Sequence, residues 1–399
     1  MTRGIGDPFG AFVELYHGGD GIPVGVKDFI DVAGQTVRNG TPGLGHHVAT
    51  EDAEVWARLR AAGYVASGRT RVPELAWSVR TPGCHNPWDP ARDAGGSSGG
   101  SAVAVAAGRV PVALGTDTGG SIRIPAALCG VAGLRPTHGT VSMRGITPLA
   151  PSMDTVGPIA ATARECLRVH EILGGAVEPA PPVEGLRIGL PDGLWSDRID
   201  SGVARLIDAA AEELRAAGAK IVHVELPVTR RRARGAGYTI MLAESARQWW
   251  TAYQERPDGL AGRAADMLRA GRAVSEDDYR EALDRAAAVR AEVDEAFGEV
   301  NALLLPTVPV TAAPSESDTV DIDGHEMPIE EAYYRLTALA SVTGRPALTV
   351  PAGLSDGLPA GAQLVGPARQ EALLCRLGET IERGPEASKL IQARLRIAL

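Results

Sequence analysis

The sequence predicts an α/β protein in which helices cover a large β-sheet. Strand and helix patterns alternate along the chain; one example is a helix over residues 50–62, a stop at Gly63 and a strand over residues 64–66. The same alternation resumes after about residue 180. This succession is typical of βαβ units, which form largely parallel, covered sheets. Hydrophobic residues make up 44% of the chain, which is enough material for the core of such a fold.

The individual elements follow from local patterns. Apolar runs bounded by turn residues predict strands at residues 22–26, 64–66, 110–114, 186–189, 221–224, 302–305, 348–350 and 363–365. Amphipathic or alanine-rich stretches predict helices at residues 50–62, 101–107, 203–217 and 275–299. Thr50 is the expected N-cap of the first helix, and Ser275 with Asp278 resembles a capping box that opens the last.

We expect one large domain over residues 1–399. The sequence has no internal repeat and no linker-like segment. Residues at about 185–300 are predicted to form a variable, substrate-side elaboration between two halves of one core.

Composition excludes several classes of protein. The formal net charge of −9 argues against a nucleic-acid partner, since phosphate binding needs a basic face. No run approaches about 20 apolar residues, so no membrane-spanning helix is expected, and the N-terminus does not resemble a signal peptide. The four cysteines are far apart and form no C-x-x-C pair, which disfavours disulfides and zinc. These features predict a soluble cytoplasmic protein without a metal site.

Three segments have the residues that amide chemistry needs. Lys27 ends a short apolar strand, residues 95–101 form a loop of glycines and serines, and residues 115–123 combine threonine, aspartate, glycine and serine after a buried strand. A serine nucleophile needs a base within hydrogen-bond reach, and burial can make a lysine neutral enough to be that base. The run before Ser121 can supply backbone N–H groups for the negative charge that develops on the carbonyl oxygen.

Other interpretations fit these residues less well. The 95–101 loop lacks the Gly-Lys-Ser/Thr of a phosphate-binding loop. It does contain G-x-S-x-G, but the α/β-hydrolase elbow follows a buried strand, which is not predicted for residues 88–94. His46 and His47 lack a partner motif for metal. Four arginines are expected to form a solvated face or to recognise an acidic substrate: Arg230, Arg231, Arg232 and Arg234. Three aromatic residues are expected in the core or in a pocket wall: Trp249, Trp250 and Tyr253.

The motif set resembles the amidase signature family. The similarity is long and nearly continuous from Gly95 through the run GTDTGGSIRIPAALCG at residues 115–130 to Thr137. Later segments resemble the family too, at residues 303–307, 344–348 and 357–366. The resemblance covers about residues 20–170 and 300–382. It implies a large, twisted, mixed β-sheet with helices on both faces.

The resemblance also implies a set of site residues. Lys27, Ser97 and Ser121 match a Ser–cis-Ser–Lys triad, in which Ser121 is the nucleophile and the bond between Gly96 and Ser97 is cis. The family places the oxyanion hole at the backbone of four residues: Thr118, Gly119, Gly120 and Ser121. Three further side chains are expected around the triad: Ser98, Asp117 and Arg123. Asp117 and Arg123 are expected to brace the loop without taking part in catalysis.

The chain departs from the family in two places. The usual Gly-Lys-Thr-Asn is Gly68-Arg69-Thr70-Arg71 here, and only 26 residues precede Lys27. Neither departure touches the triad, and both concern the pocket rim and oligomeric contacts.

The predicted function is hydrolysis of a small-molecule carboxamide through a serine acyl-enzyme, with release of ammonia or an amine. No cofactor is expected. The predicted partners are the amide substrate and, as an alternative left open, a second copy of the chain. One other function is that of the glutamine-hydrolysing subunit of a tRNA-dependent amidotransferase, which would act with partner subunits. Another is that of a non-catalytic binding protein that retains the fold.

Overall fold

The protein forms a mixed β-sheet surrounded by helices in a computed structural model that describes residues 7–16, 19–175, 177–194 and 197–397. The strands are β1 (Phe12–Leu15), β2 (Ile22–Lys27), β3 (Thr36–Val37), β4 (His47–Val48), β5 (Tyr64–Thr70), β6 (His85–Asn86), β7 (Asp89–Asp93), β8 (Val112–Asp117), β9 (Ala132–Arg135), β10 (Thr155–Ala160), β11 (Arg187–Asp192), β12 (Lys220–Glu225), β13 (Ala302–Pro306), β14 (Thr319–Ile322), β15 (His325–Pro328), β16 (Ala347–Ser355) and β17 (Leu358–Val365). The α-helices are α1 (Glu54–Ala61), α2 (Gly99–Ala106), α3 (Arg123–Cys129), α4 (Ala163–Ile172), α5 (Ser201–Ala216), α6 (Pro227–Glu255), α7 (Gly262–Ala273), α8 (Glu276–Ala296), α9 (Ile329–Arg335), α10 (Ala338–Thr343), α11 (Glu371–Glu382) and α12 (Pro385–Ile397). Two 3₁₀ turns lie at Glu74–Ala76 and Pro257–Gly259.

Eleven of these strands form the central sheet, in the order β1-β5-β2-β8-β10-β9-β16-β17-β13-β11-β12. The runs β5-β2-β8 and β12-β11-β13 are parallel. The other neighbours are antiparallel, including the hairpin β16–β17, whose two-residue turn Asp356-Gly357 has positive φ at both positions. The sheet is therefore mixed, as the family resemblance implied, and the prediction of a largely parallel sheet is wrong. The alternation of helices and strands does not reveal the direction of strands such as β9 and β10.

Helices cover both faces of the sheet, and strand β8 shows how the chain achieves this. All six of its residues are buried. Val112 and Leu114 belong to the largest hydrophobic cluster, whereas Ala113 belongs to a second cluster with the alanines of α2. Because successive side chains of a strand point to opposite faces, β8 lies between two apolar layers. The predicted α/β fold with helices on both faces is confirmed.

Two local predictions differ from the structure. The first helix begins at Glu54, with Ala53 at its N-cap position and no side-chain cap, so Thr50 does not cap it. Residues 89–93 form strand β7, which we did not predict. This strand pairs with β6 in a separate two-stranded sheet and forms an isolated bridge to Pro314, and Pro90 and Ala91 in its middle are exposed. The buried strand that a nucleophile elbow requires is therefore still missing before Ser97.

The segment at about 185–300 contributes β11, β12 and four helices, of which α6 packs against α7 and α8. Strands from both ends of the chain share the central sheet, while the assignment of residues 1–399 to one domain stays a prediction. Within the described ranges, no helix is both long and apolar enough to cross a membrane. All four cysteines are buried and free.

The capping box of α8 is confirmed. Ser275 Oγ accepts the N–H of Asp278 at 3.0 Å, and the Asp278 carboxylate accepts the N–H of Ser275 at 3.4 Å. Both groups satisfy backbone donors that the first turn of a helix leaves open.

Replacing Ser275 with alanine is expected to lower the free energy of unfolding by about 1 kcal/mol, because the first turn of α8 loses its acceptor. Urea denaturation followed by circular dichroism measures this. Glu295→Ala, an exposed substitution near the other end of α8, serves as the control and should change stability by less than about 0.5 kcal/mol. Equal stability of Ser275→Ala and wild type would contradict a stabilising role for the cap.

Candidate active site

Lys27 lies at the carboxyl end of β2, between two parallel neighbours. Its Cα pairs with that of Thr70 on β5, and Val26 pairs with Leu114 on β8. The side chain has no solvent exposure. Since the carboxyl ends of parallel strands meet at one edge of a sheet, Lys27 is brought beside the segment that follows β8.

The Lys27 amine is held by three hydroxyl groups. Its Nζ lies 2.8 Å from Ser97 Oγ, 2.9 Å from Ser98 Oγ and 2.7 Å from Thr116 Oγ1. No carboxylate of the described residues lies within ion-pair distance of Nζ. The amine therefore occupies a polar but uncharged pocket inside the protein.

Burial lowers the pKa of Lys27 from 10.5 to about 7. Loss of hydration disfavours the ammonium form, and the carboxylates of Asp117 and Asp154 oppose this effect only in part. A substantial fraction of Lys27 is thus uncharged near neutral pH. In that form it can accept a proton.

An uncharged amine can satisfy all three hydroxyl contacts. It has two N–H donors and one lone pair. Ser98 Oγ donates its own proton to the carbonyl oxygen of Thr116 at 3.2 Å, so it accepts from Lys27. If Thr116 Oγ1 accepts the second N–H, the lone pair of Nζ is left for the Ser97 hydroxyl. This arrangement directs the lone pair of the base to the serine that the family resemblance assigns as the relay.

The loop that contains Ser97 is fixed by close backbone packing. The peptide bond between Gly96 and Ser97 is cis, as the resemblance implied. A Cβ at Gly96 would lie 2.6 Å from the carbonyl oxygen of Arg80, so only glycine fits there. Thr81 Oγ1 donates to the carbonyl oxygen of Gly95 at 2.9 Å and accepts the N–H of Gly99 at 3.2 Å.

Ser121 lies just before α3 and is partly exposed in a cavity. Its carbonyl oxygen accepts the N–H of Ser98 at 3.1 Å, which joins the two serine-bearing segments. Its hydroxyl makes no hydrogen bond within the described part of the chain, including with Ser97. The structure therefore brings Lys27, Ser97 and Ser98 into direct contact and places Ser121 beside them. Proton transfer from Ser121 to Ser97 stays a prediction.

The predicted oxyanion donors differ in their availability. Gly120 donates its N–H to Asp117 Oδ1 at 3.0 Å, so this donor is already engaged. The N–H groups of Gly119 and Ser121 have no hydrogen-bond acceptor in the described ranges. Thr118 contributes its side chain to a different contact, since its hydroxyl donates to Asp154 Oδ1 at 2.6 Å. Because Thr118 uses only its side chain in this contact, the backbone N–H groups of Thr118, Gly119 and Ser121 stay available, among the described residues, for a substrate oxygen.

Asp117 and Arg123 brace this loop through a buried charge network. Arg123 donates from Nε and Nη2 to the two carboxylate oxygens of Asp117, at 3.0 and 2.9 Å. Asp117 also accepts the N–H of Ile122 at 3.2 Å. Burial alone would raise the pKa of Asp117, but the guanidinium groups of Arg123 and Arg135 hold it well below its ordinary value. The carboxylate is therefore ionised and fixes the turn before Ser121.

Sequence reasoning missed three residues of this site. Thr116 contacts Lys27, Arg135 donates to Asp117 Oδ1 at 2.9 Å, and Asp154 accepts from Thr118. Arg135 could have been found, because a charged residue after the apolar Gly133-Leu134 run needs a buried partner. The position of Thr116 beside Lys27 depends on the pairing of β2 with β8, which local patterns do not show.

The two arginines that depart from the family pattern have separate places. Arg69 is fully buried, and its Nε donates to Asp28 Oδ1 at 2.9 Å. Asp28 is the residue that directly follows Lys27. Arg71 lines the cavity that contains Ser121. The departure from the usual motif thus alters the cavity wall at Arg71 but not at Arg69.

The cavity has a volume of about 1140 Å³ and a largely apolar wall. Its apolar side chains include Trp77, Val79, Ile124, Leu149, Tyr238, Met241 and Tyr334. Its charged side chains are Arg71, Glu74, Arg80, Arg234, Arg263, Asp318, Glu330 and Glu331. A cavity of this size can hold a small organic molecule against Ser121.

Other residues singled out in the sequence lie elsewhere. His47 is exposed and contacts Asp31 at 2.8 Å, and the described residues contain no group of three potential metal ligands. Trp249 donates from its indole to the carbonyl oxygen of Pro148 at 2.9 Å and packs against the core. Of the four clustered arginines, Arg234 reaches the cavity and Arg230 pairs with Asp197 at 3.2 Å.

Replacing Thr116 with valine is expected to lower catalytic turnover of an amide by about fivefold to 100-fold, because one N–H of the buried Lys27 loses its acceptor. Steady-state ammonia release measures this change. Thr116→Ser, which keeps the hydroxyl, should recover most of the activity. If valine and serine variants have equal turnover, Thr116 does not orient the lysine.

This chain is similar in sequence and in fold to several known proteins. The family model described as Amidase matches residues 20–375. A glutamyl-tRNA(Gln) amidotransferase subunit of Chloroflexus aggregans (strain MD-66 / DSM 9485) is 36% identical and aligns with 91% of this chain and 82% of its own. A solved structure described as an amidase has a TM-score of 0.85 at 36% identity and covers 90% of this chain and 84% of its own. The structure of a glutamyl-tRNA(Gln) amidotransferase subunit from Thermotoga maritima has a TM-score of 0.82 at 30% identity. It covers 94% of this chain and 88% of its own.

Proposed function

Because this chain belongs to the amidase family, we propose that it hydrolyses the C–N bond of a carboxamide through an acyl-enzyme on Ser121. One observation carries the proposal. The buried Lys27 amine, whose pKa is lowered to about 7, lies 2.8 Å from the Ser97 hydroxyl beside the Ser121 segment. This contact supports the assignment of Lys27 as the base and Ser97 as the relay hydroxyl next to the candidate nucleophile.

In the first half of the proposed reaction, Ser121 Oγ attacks the carbonyl carbon of the amide. Its proton passes to Ser97, whose own proton passes to the Lys27 amine. The N–H groups of Gly119 and Ser121 stabilise the negative charge on the carbonyl oxygen. When the C–N bond breaks, Lys27 returns a proton through Ser97 to the leaving nitrogen, which departs as ammonia or an amine.

In the second half, water attacks the ester formed on Ser121. Lys27, again uncharged, accepts a proton from the water through Ser97. The acid product leaves, and the proton returns to Ser121. Side chains of this chain make every proton transfer in the scheme.

Ser121→Ala is the direct test of the nucleophile. The variant should fold normally but lose at least about 1000-fold in amide turnover, since the acyl-enzyme can no longer form. Ammonia release from a panel of primary amides measures turnover, and a fluorophosphonate probe should label wild type but not the variant. Ser152→Ala, an exposed serine, is the matched control. A folded Ser121→Ala protein with wild-type activity would refute the mechanism.

The pH dependence tests the base. Because Lys27 must be uncharged to accept a proton, kcat/KM should rise about tenfold per pH unit below pH 7 and become constant above it. Burial raises the pKa of Asp93 to about 6, so its titration could also make kcat/KM rise in this pH range. If Lys27 is the base, the rise of kcat/KM below pH 7 should persist in the Asp93→Asn variant. A flat profile between pH 5 and 9 would exclude Lys27 as the base.

The second candidate is that ammonia from glutamine is passed to a partner subunit. Its support is the names of curated relatives, of which several at 33–36% identity are subunits of glutamyl-tRNA(Gln) amidotransferase. These names favour this alternative over the free-standing amidase that the sequence analysis preferred. Both candidates share the hydrolytic step at Ser121 and differ in the substrate and in the fate of the ammonia.

Glutaminase activity distinguishes the two candidates. An amidotransferase subunit should release ammonia from L-glutamine, with an increase when its partner subunits are added, whereas a free-standing amidase should hydrolyse other amides faster and without partners. The purified chain can be assayed with L-glutamine and with other amides, and the Ser121→Ala variant gives the background rate of ammonia release. The absence of glutamine hydrolysis with and without candidate partners would remove the second candidate.

A further inference from the structure

The cavity wall formed by residues 71–82 is attached to the Ser97 loop. The carbonyl oxygen of Arg71 accepts the N–H of Gly100 at 3.2 Å, and the backbone of Arg80 closes over Gly96. The backbone of this wall therefore holds a fixed position relative to the proposed catalytic residues. A charge on this wall can orient a substrate that reaches Ser121.

Most positive charges in the cavity are neutralised by neighbouring carboxylates. Arg80 lies 3.1 Å from Asp93, Arg234 lies 3.2 Å from Glu331, and Arg263 lies 3.3 Å from Glu330. These arginines are already paired, so their attraction for a further anion is weak.

Arg71 is the exception among the cavity's arginines in the described ranges. It has no carboxylate within 4 Å there, and the residues outside those ranges include no aspartate or glutamate. Its Nε donates to the carbonyl oxygen of Gly10 at 2.8 Å, which anchors the guanidinium. The two terminal nitrogens make no hydrogen bond within the described part of the chain. Neither nitrogen is fully buried, so both are at least partly exposed.

We propose that the substrate is an amide that also bears a carboxylate, and that Arg71 binds this carboxylate. The inference rests on the proposed function and names its substrate class. A guanidinium anchored through Nε presents its terminal N–H groups in a planar fork that matches a carboxylate. The apolar wall between the charged positions suits the hydrocarbon part of such a molecule, for example a monoamide of a dicarboxylic acid.

The experiment compares acidic amides with neutral amides of the same length. Succinamate, glutaramate and adipamate are paired with butyramide, valeramide and hexanamide, in which a methyl group replaces the carboxylate. Wild type should prefer the acidic member of at least one pair by about 10-fold to 100-fold in kcat/KM, the range of a charged hydrogen bond. The length of the preferred acidic amide will show how far its carboxylate lies from the scissile bond.

Arg71→Gln is the informative variant, because it removes the charge but keeps a donor for Gly10. It should abolish the preference for the acidic member of each pair. Arg71→Lys, which keeps the charge without the fork, should retain part of the preference. Arg280→Gln on the exposed surface of α8 changes the net charge equally and should leave the preference intact.

The outcomes separate this inference from the proposed function. Binding of each pair to the Ser121→Ala protein by calorimetry measures the preference without turnover. Equal binding of acidic and neutral amides, or a preference that survives in Arg71→Gln, would overturn the inference even if Ser121-dependent hydrolysis is intact. Preferential binding through Arg71 without hydrolysis by wild type would support the inference and contradict the proposed function.

Discussion

The site depends on the burial of one amine among hydroxyl groups. A lysine removed from water is costly as an ammonium ion, and an ion pair would restore its charge. Here Lys27 is surrounded by Ser97, Ser98 and Thr116 instead of carboxylates. Each hydroxyl can donate or accept, so the amine remains fully hydrogen-bonded in its uncharged form. This permits a buried lysine that has a pKa near neutrality and still points at a serine.

The carboxylates near this amine form their ion pairs and hydrogen bonds with other groups. Asp117 is paired with two guanidinium groups, from Arg123 and Arg135, and its oxygens hold the backbone that leads to Ser121. Asp154 accepts from Thr118 and from the N–H groups of Leu149 and Ala150. These charges raise the pKa of Lys27 only in part, because the loss of hydration on burial is the larger effect. The same network positions the turn that leads to Ser121.

Proteins with different names share the fold of this chain. The curated relatives include amidotransferase subunits, and the solved structures include an amidase, a peptide amidase and an aryl acylamidase. One fold therefore occurs in proteins with different functions, since function depends on the site that the fold supports. In this chain the difference is expected in the cavity wall, where Arg71 stands in place of the asparagine of the usual motif.

The sequence by itself determined the local features of this protein. The glycine–serine run at residues 95–101, the GTDTGG run before Ser121 and the capping box at Ser275 can be read from neighbouring residues, because each depends on contacts within a few positions. Family resemblance added the mixed sheet and the cis bond before Ser97. Only the tertiary structure decided which strands run antiparallel, that Thr116 touches Lys27, and that Arg71 lines the cavity while Arg69 is buried. Each of these depends on strand pairing or packing between distant segments, and no local pattern encodes it.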